Sequence, residues 1–310
     1  LIVELANFLA DSVSSPNVVA LLPPGQIRAL GSPAMPELPE VETTVRLLRP
    51  HLEGRVLGQV RVHWLRTLGG MSVAAFARSL RGARVRSLHR RAKYIVVELE
   101  RDGAPGGALV VHLRMTGRLY VDPAHVPADP FVKVEVELDN GHWLRFLDVR
   151  KFGRFEYSNP AASLLPELGP EPLGPEFTPE WLQGALKQRR RRIKPLLLDQ
   201  GFLAGLGNIY VDEALHQAGI HPLTIAARVD RSRSDRLHAA IQATLSAAIE
   251  REGSSFDRFY RTPEGNPGSY QHQFQVYGRE GLPCRTCGRV IERMVVGQRG
   301  THLCRHCQKR

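Results

Sequence analysis

The chain has four cysteines, and they fall in two pairs, CRTC at 284–287 and CRHC at 304–307. Two CxxC knuckles sixteen residues apart can turn Cys284, Cys287, Cys304 and Cys307 toward one tetrahedral zinc ion, whereas a disulfide within either short pair would be strained. A second candidate for chemistry is Pro36–Glu37, directly after Met35. If Met35 starts the working chain and is removed, Pro36 carries a free secondary amine just ahead of a helix. An α-amino group titrates at about pH 7.7–8.0, and the positive end of a helix disfavours its ammonium form. Such an amine is a usable nucleophile at neutral pH. Attack on a sugar C1′ gives an iminium directly, the logic of Schiff-base catalysis, with Glu37 alongside as acid or base. Taken alone, the same two residues could do no more than open a helix.

These groups need a scaffold. Val41, Val45 and Leu48 recur at helical spacing with Glu40 and Glu42 in the first turn, which predicts a helix over 39–50. Strand patterns dominate from 54 to 157. In VKVEVELDNGHWLRFL, Val132, Val134, Val136 and Leu138 alternate with Lys133, Glu135 and Glu137, and Asn140–Gly141 predicts a type I′ hairpin turn. The expected N-terminal domain, 36–157, is a β-sandwich with flanking helices. A Pro/Gly-rich connector follows at 158–177. Residues 178–274 read as helical, with a Thr178 cap and a long amphipathic helix in DRSRSDRLHAAIQATLSAAIEREG. Gly205 and Gly207, ahead of Asn208, would let backbone N–H groups approach a phosphate at a helix N-terminus. In residues 275–310, Val290, Ile291, Val295 and Val296 suggest a strand, and GQRG a tight turn with Arg299 at its tip. That makes a zinc-pinned hairpin whose stability the metal supplies. The fold class is α+β and multidomain.

At 310 residues with 43% hydrophobic content, the chain can bury a sizeable core. No apolar run reaches the roughly 20 residues of a membrane helix. The net charge of +11 points to a polyanionic partner, nucleic acid above all. Residues 1–35 stand apart. Up to residue 34 the only charges are Glu4, Asp11 and Arg28, and no basic flank precedes LIVELANFLA, so a secretory signal is not expected. The expectation is an extension upstream of the true start at Met35, or a segment that is trimmed.

Eight stretches occur in one order: MPELPEVETTVRLLRPHL, RRAKYIVVEL, HLRMTGRL, RKFGRF, LGPEPL, IKPLLLDQGFLAGLGNIYVDEALHQAGIHP, VYGREGLPC and the terminal cysteine module. Together, over residues 35–309, they resemble the formamidopyrimidine-DNA glycosylases, bacterial repair enzymes for oxidised purines. The resemblance implies a helix–two-turn–helix DNA-binding domain over 178–274, and a cytoplasmic, nucleoid-associated monomer acting on double-stranded DNA with oxidised purines or abasic sites. It implies Pro36 as nucleophile, Glu37 as proton donor for sugar-ring opening, strand-borne Lys93 for β-elimination, and Arg299 for δ-elimination and phosphate contact. Met115, Arg150 and Phe152 match the residues that fill the void left by a flipped base. Phosphate clamping falls to Lys194, Asn208 and the arginine run at 189–192, of which Arg190 aligns with a DNA-contacting lysine. Residues 253–274 match a mobile lid over the flipped base.

Two other readings use the same features. A zinc-bearing DNA-damage binder without catalysis needs only the basic surface and the finger. A pyrimidine-lesion glycosylase of the endonuclease VIII group is close in motif, but that group typically has glycine in place of Leu38. A histidine that the family often places near Phe131–Lys133 has no counterpart. With residues 1–34 attached, Pro36 is an amide and the nucleophile is lost.

Overall fold

The computed structural model describes residues 35–256 and 259–310. The expectations for residues 1–34, and for the lid at 257–258, lie outside the described residues. In order, the elements are α1 (Leu38–Leu52), β1 (Leu57–Val62), α2 (Val73–Leu80), β2 (Arg84–Arg91), β3 (Tyr94–Arg101), β4 (Ala104–His112), β5 (Gly117–Pro123), β6 (Val132–Leu138), β7 (His142–Asp148) and β8 (Arg154–Ser158). Then come α3 (Pro179–Lys187), α4 (Ile193–Leu197), α5 (Asn208–Gln217), α6 (Arg231–Glu250), β9 (Glu292–Val296) and β10 (Arg299–Leu303).

The strands of the first part form two four-stranded antiparallel sheets, ordered β1-β6-β7-β5 and β2-β3-β4-β8. The period-2 pattern of β6 sends Val134 and Val136 inward with Leu144 and Phe146 of β7 against Ile95, Val97, Val111 and Phe155 of the other sheet. The alternate positions are not simply solvated. Glu135 and Arg145, both buried, face each other across β6 and β7 at 3.0 Å, and Arg145 reaches Asp122 as well. The β6–β7 hairpin forms as expected, but its turn differs. Gly141 alone has positive φ, and its N–H bonds to Leu138 C=O at 3.2 Å, giving a three-residue loop instead of a type I′ turn. The type I′ signature appears in the finger, where Gly297 and Gln298 both take positive φ between β9 and β10. Arg299 therefore begins β10, one residue past the turn.

Helices α3 to α6 gather around a second core. Thr178 caps α3 through Trp181 N–H, and Asp230 caps α6 through Arg233 N–H. Helix α1 belongs to both cores. Leu38 is packed with the helical cluster, while Val41, Val45, Leu48 and Leu52 lie in the sandwich. The connector is pinned by Glu171, whose carboxylate takes Arg90 at 2.5 Å, Arg91 at 2.8 Å and the Ala92 N–H at 2.6 Å. Burial would raise this carboxyl, but the guanidiniums and the amide outweigh it and hold it below its usual range. Among the described residues, no helix is long and apolar enough to cross a membrane.

Candidate active site and zinc centre

Pro36 and Glu37 sit where the two cores meet. Both are buried, and Glu37 is the residue from which α1 departs. Its N–H donates to Glu40 Oε2 at 2.9 Å, and the next amide, Leu38 N–H, donates to Gly205 C=O at 3.1 Å. The Glu37 carboxylate accepts the Ile209 N–H at 3.0 Å and the Tyr210 N–H at 3.4 Å, both in the first turn of α5. This revises the expectation for GLGN. The open N-terminus of α5 holds an anion, but that anion is the chain's own carboxylate and not a phosphate. Gly207 is what admits it, since a Cβ there would lie 2.2 Å from Glu37 Cδ.

Burial pushes the Glu37 pKa up, and neighbouring Glu40 adds to the rise; Lys93 and the two α5 amides pull it back, leaving it at about 7. A carboxyl poised there can deliver and recover a proton near neutrality. Glu40, which the sequence offered only as a first-turn acid, ties three segments together. It accepts the Tyr210 hydroxyl at 2.5 Å, the Ser254 N–H at 2.8 Å and the Glu37 N–H. Its own proton affinity is raised by burial.

Lys93 is neither on a strand nor solvated. It lies on the two-residue turn between β2 and β3, after Ala92 at φ +52°, and is 6% exposed. Burial lowers its pKa, against the pull of Glu37 and Glu40, and the Arg299 charge lowers it further. Lys93, Glu37, Glu40 and Arg299 therefore share one electrostatic neighbourhood, although they come from three separate parts of the sequence. His112 stands nearby as a neutral imidazole, its pKa depressed to about 3 by burial and by Arg114 and Lys93.

Arg299 is exposed, and its neighbour Gly300 fixes it. The Gly300 C=O accepts both Asn208 Nδ2 at 2.9 Å and Lys194 Nζ at 3.1 Å. Lys194, expected as a phosphate clamp, lies beneath the surface. It has no exposed side-chain surface and pairs with equally buried Asp212 at 2.6 Å. Asp212 also accepts the His302 N–H at 2.8 Å, so one carboxylate holds both Lys194 and the finger strand. Asp212 carries no local signature, because its partners lie 18 and 90 positions away. Asn208 leaves its buried Oδ1 without a partner among the described residues. Arg190 is exposed on the loop between α3 and α4, beside Arg191, which pairs with Asp199.

Met115, Arg150 and Phe152 come together from two turns. Asp148 organises them by bonding the Thr116 hydroxyl and accepting Arg150 N–H at 3.2 Å and Gly153 N–H at 2.7 Å. Phe152 projects with 52% exposure, and the Arg150 guanidinium lies 5.0 Å from its ring centre. Met115 is half-buried. An exposed aromatic beside a cation on a loop pinned at its base has the form of a wedge. In the lid region the described part is well anchored, with Arg118 donating to the Thr262 and Pro263 carbonyls.

The four cysteines are free thiols whose sulfurs all lie within 4.8 Å of one another. Cys287 and Cys304 are 3.5 Å apart, and Cys284 and Cys307 3.9 Å. A tetrahedron with Zn–S bonds of about 2.3 Å has edges of about 3.8 Å, so the set fits one zinc ion. His216, at the end of α5, places Nε2 3.6 Å from Cys284 Sγ. Burial opposes ionisation of Cys284, but the Thr286 and Cys287 amides and His216 outweigh it and bring the thiol to about 6. His216 joins the centre to α5, a contact the sequence did not suggest.

Three family models match in succession: the formamidopyrimidine-DNA glycosylase N-terminal domain over residues 35–155, the H2TH domain of the same enzymes over 168–259, and the zinc finger found in FPG and IleRS over 281–310. Formamidopyrimidine-DNA glycosylase of Rhizorhabdus wittichii is 47% identical over 279 residues, covering 89% of this chain and 100% of that protein. The Desulforamulus reducens enzyme is 45% identical over 280 residues, covering 89% and 99%. Among solved structures, the MutM (Fpg) protein of Thermus thermophilus superposes with a TM-score of 0.78 at 40% identity, covering 88% of this chain and 98% of that one. Lactococcus lactis Fpg, in a complex with DNA containing N7-benzyl-Fapy-dG, gives 0.80 at 34% identity, covering 89% and 100%. With its site geometry, its cysteine centre and these likenesses along residues 35–310, the chain belongs to the formamidopyrimidine-DNA glycosylase family.

Proposed function

We propose that this chain, in a form beginning at Pro36, excises oxidised purines from duplex DNA in base excision repair and then cuts the strand as an abasic-site lyase. The Pro36 nitrogen attacks C1′ while the bond from C1′ to the base breaks, the base leaving with a proton. Glu37 delivers the proton that opens the sugar ring, which leaves an iminium between Pro36 and C1′. The iminium acidifies C2′, and loss of that proton expels the 3′ phosphate. A second elimination expels the 5′ phosphate, with Lys93 and Arg299 serving the two steps. Phe152, Arg150 and Met115 fill the gap left by the flipped base. Asn208, Arg190 and the Arg299 finger hold the backbone, with Lys194 acting from beneath through Gly300. The division of labour follows 36–157 for catalysis, 178–274 for DNA binding and lid, and 275–310 for the finger, working as a cytoplasmic monomer.

One observation carries this reading: next to Pro36, a buried carboxyl is held by the first turn of α5 at a pKa of about 7. The related solved complexes support the substrate class, since they hold DNA containing Fapy-dG, an abasic site or carbocyclic 8-oxo-G. Borohydride added to zinc-loaded protein and an 8-oxoguanine duplex tests it. A chain starting at Pro36 is expected to form a covalent adduct, and the same chain with Pro36 acylated is not. Equal trapping by both would remove Pro36 from the mechanism.

A further inference from the structure

A cleft of about 1060 Å³ opens between α6 and the closing residues of the finger. It lies at the far end of α5 from Glu37 and borders the zinc centre, whose ligands Cys287 and Cys307 line it. Its wall includes His216 and Gln217, while Asn208 begins the helix eight and nine residues earlier, a separation of about 12–14 Å along the axis. Three arginines of α6 and its C-terminal cap, Arg233, Arg236 and Arg251, line one side, and Lys309 and Arg310 line the other. Positions 236 and 251 are roughly four helical turns apart, so the helix repeat aims them alike. None of the five takes part in an ion pair among the described residues. Glu213, the carboxylate on the wall, is committed to the Gln275, Val276 and Tyr277 amides at 2.8–3.0 Å. The zinc-ligand sulfurs of Cys287 and Cys307 also reach the wall, but the five cations still outnumber the negative groups that face them.

The guanidiniums are also held. Arg233 donates to the Lys309 C=O at 3.0 Å and Arg236 to the Ala218 C=O at 3.4 Å. Arg236 also donates to the Ser232 hydroxyl at 2.9 Å. With one N–H spent by Arg233 and two by Arg236 out of five each, both are oriented with donors to spare. A planar fork of that kind suits phosphate oxygens. The volume is that of a small-molecule site. Five cations facing one space call for a ligand with several negative charges, not one.

We propose that this cleft is a second anion site, separate from the catalytic groove, that binds a run of linked phosphates, from a nucleoside polyphosphate or from a nucleic-acid strand outside the lesion duplex. Neutralising the cleft would draw α6 and the finger tail together around the ligand.

The test uses the zinc-loaded chain with its catalytic groove filled by a duplex carrying an uncleavable abasic analogue. Titration calorimetry then follows inorganic tripolyphosphate and, separately, a short undamaged oligothymidylate. One-to-one binding of at least one probe is expected. It should weaken tenfold or more in Arg236→Glu and in Arg251→Glu, while borohydride trapping on lesion duplex stays within twofold of wild type. Tighter binding of tripolyphosphate identifies a nucleotide-like ligand, and tighter binding of the oligonucleotide a strand. The Arg251 side chain makes no hydrogen bond or ion pair among the described residues, so its variant guards against misfolding, checked by zinc content and thermal midpoint. Absence of binding by both probes, or undiminished binding in both variants, overturns the proposal.

Discussion

Replacing Gly207 by alanine perturbs Glu37 without touching it. Gly207 has φ −134° and ψ −162°, extended backbone that alanine adopts without strain, so the effect comes from the added methyl alone. That Cβ would lie 2.2 Å from Glu37 Cδ and 2.4 Å from Oε1. Restoring an ordinary 3.4 Å contact requires a shift of about 1.2 Å between them, and a catalytic group misplaced by about 1 Å can lose on the order of 10²-fold in rate. The same shift stretches the bonds from Ile209 and Tyr210, at 3.0 and 3.4 Å. Each hydrogen bond to a charged group is worth about 1.5–3 kcal/mol. Single-turnover excision of 8-oxoguanine should therefore slow by about 100-fold, and cleavage of a preformed abasic site by less, because base departure is already complete. Duplex affinity should change by less than about threefold, since Glu37 touches no phosphate in this mechanism. Excision at the wild-type rate in Gly207→Ala would refute the reasoning that a glycine here exists to seat Glu37.

Glu37→Gln should lose about 10²–10⁴-fold in excision yet gain stability at high pH. The folded pKa of Glu37 is raised to about 7, so its contribution to stability is full below the unfolded carboxyl range and is lost as pH rises through about 7. Urea unfolding at pH 8.5 should show the variant more stable by on the order of 3 kcal/mol, with little difference at pH 4. Wild-type excision should fall as pH climbs past 7, when the acid is spent, which a pH–rate profile will show. Asp212→Asn leaves the Lys194 ammonium buried without its counter-charge and should cost about 3–5 kcal/mol in urea unfolding; a change below about 1 kcal/mol would mean that the pair is not holding the finger. His216→Leu removes the imidazole from Cys284 and should speed zinc loss to a chelator by about 10–100-fold, read with a zinc-sensitive dye.

The features that could be read from sequence were those written locally. Cysteine spacing placed the finger, period-2 valines placed β6, and the Thr178 cap marked its helix. The resemblance supplied roles for Pro36, Glu37, Lys93 and Arg299 but not their setting. The misreadings share a cause. Gly207 looked like a phosphate cradle because its true occupant is 170 positions upstream, and the burial of Lys194, expected as a phosphate clamp, was hidden because Asp212 and the Gly300 carbonyl reach it only after folding. Asn140–Gly141 carried the right residues for a type I′ turn, but one extra loop residue changed the geometry. Glu171, in a stretch that reads as slack connector, holds the β2–β3 turn by partners some 80 positions away.

The dual membership of α1 has a mechanical consequence. Its leading leucine is embedded in one lobe and its remaining apolar stripe in the other, so neither lobe can swing without transmitting torque to the residue at the tip of the axle. In the proposed mechanism, a pull on either lobe would thereby be felt at the Pro36 nitrogen.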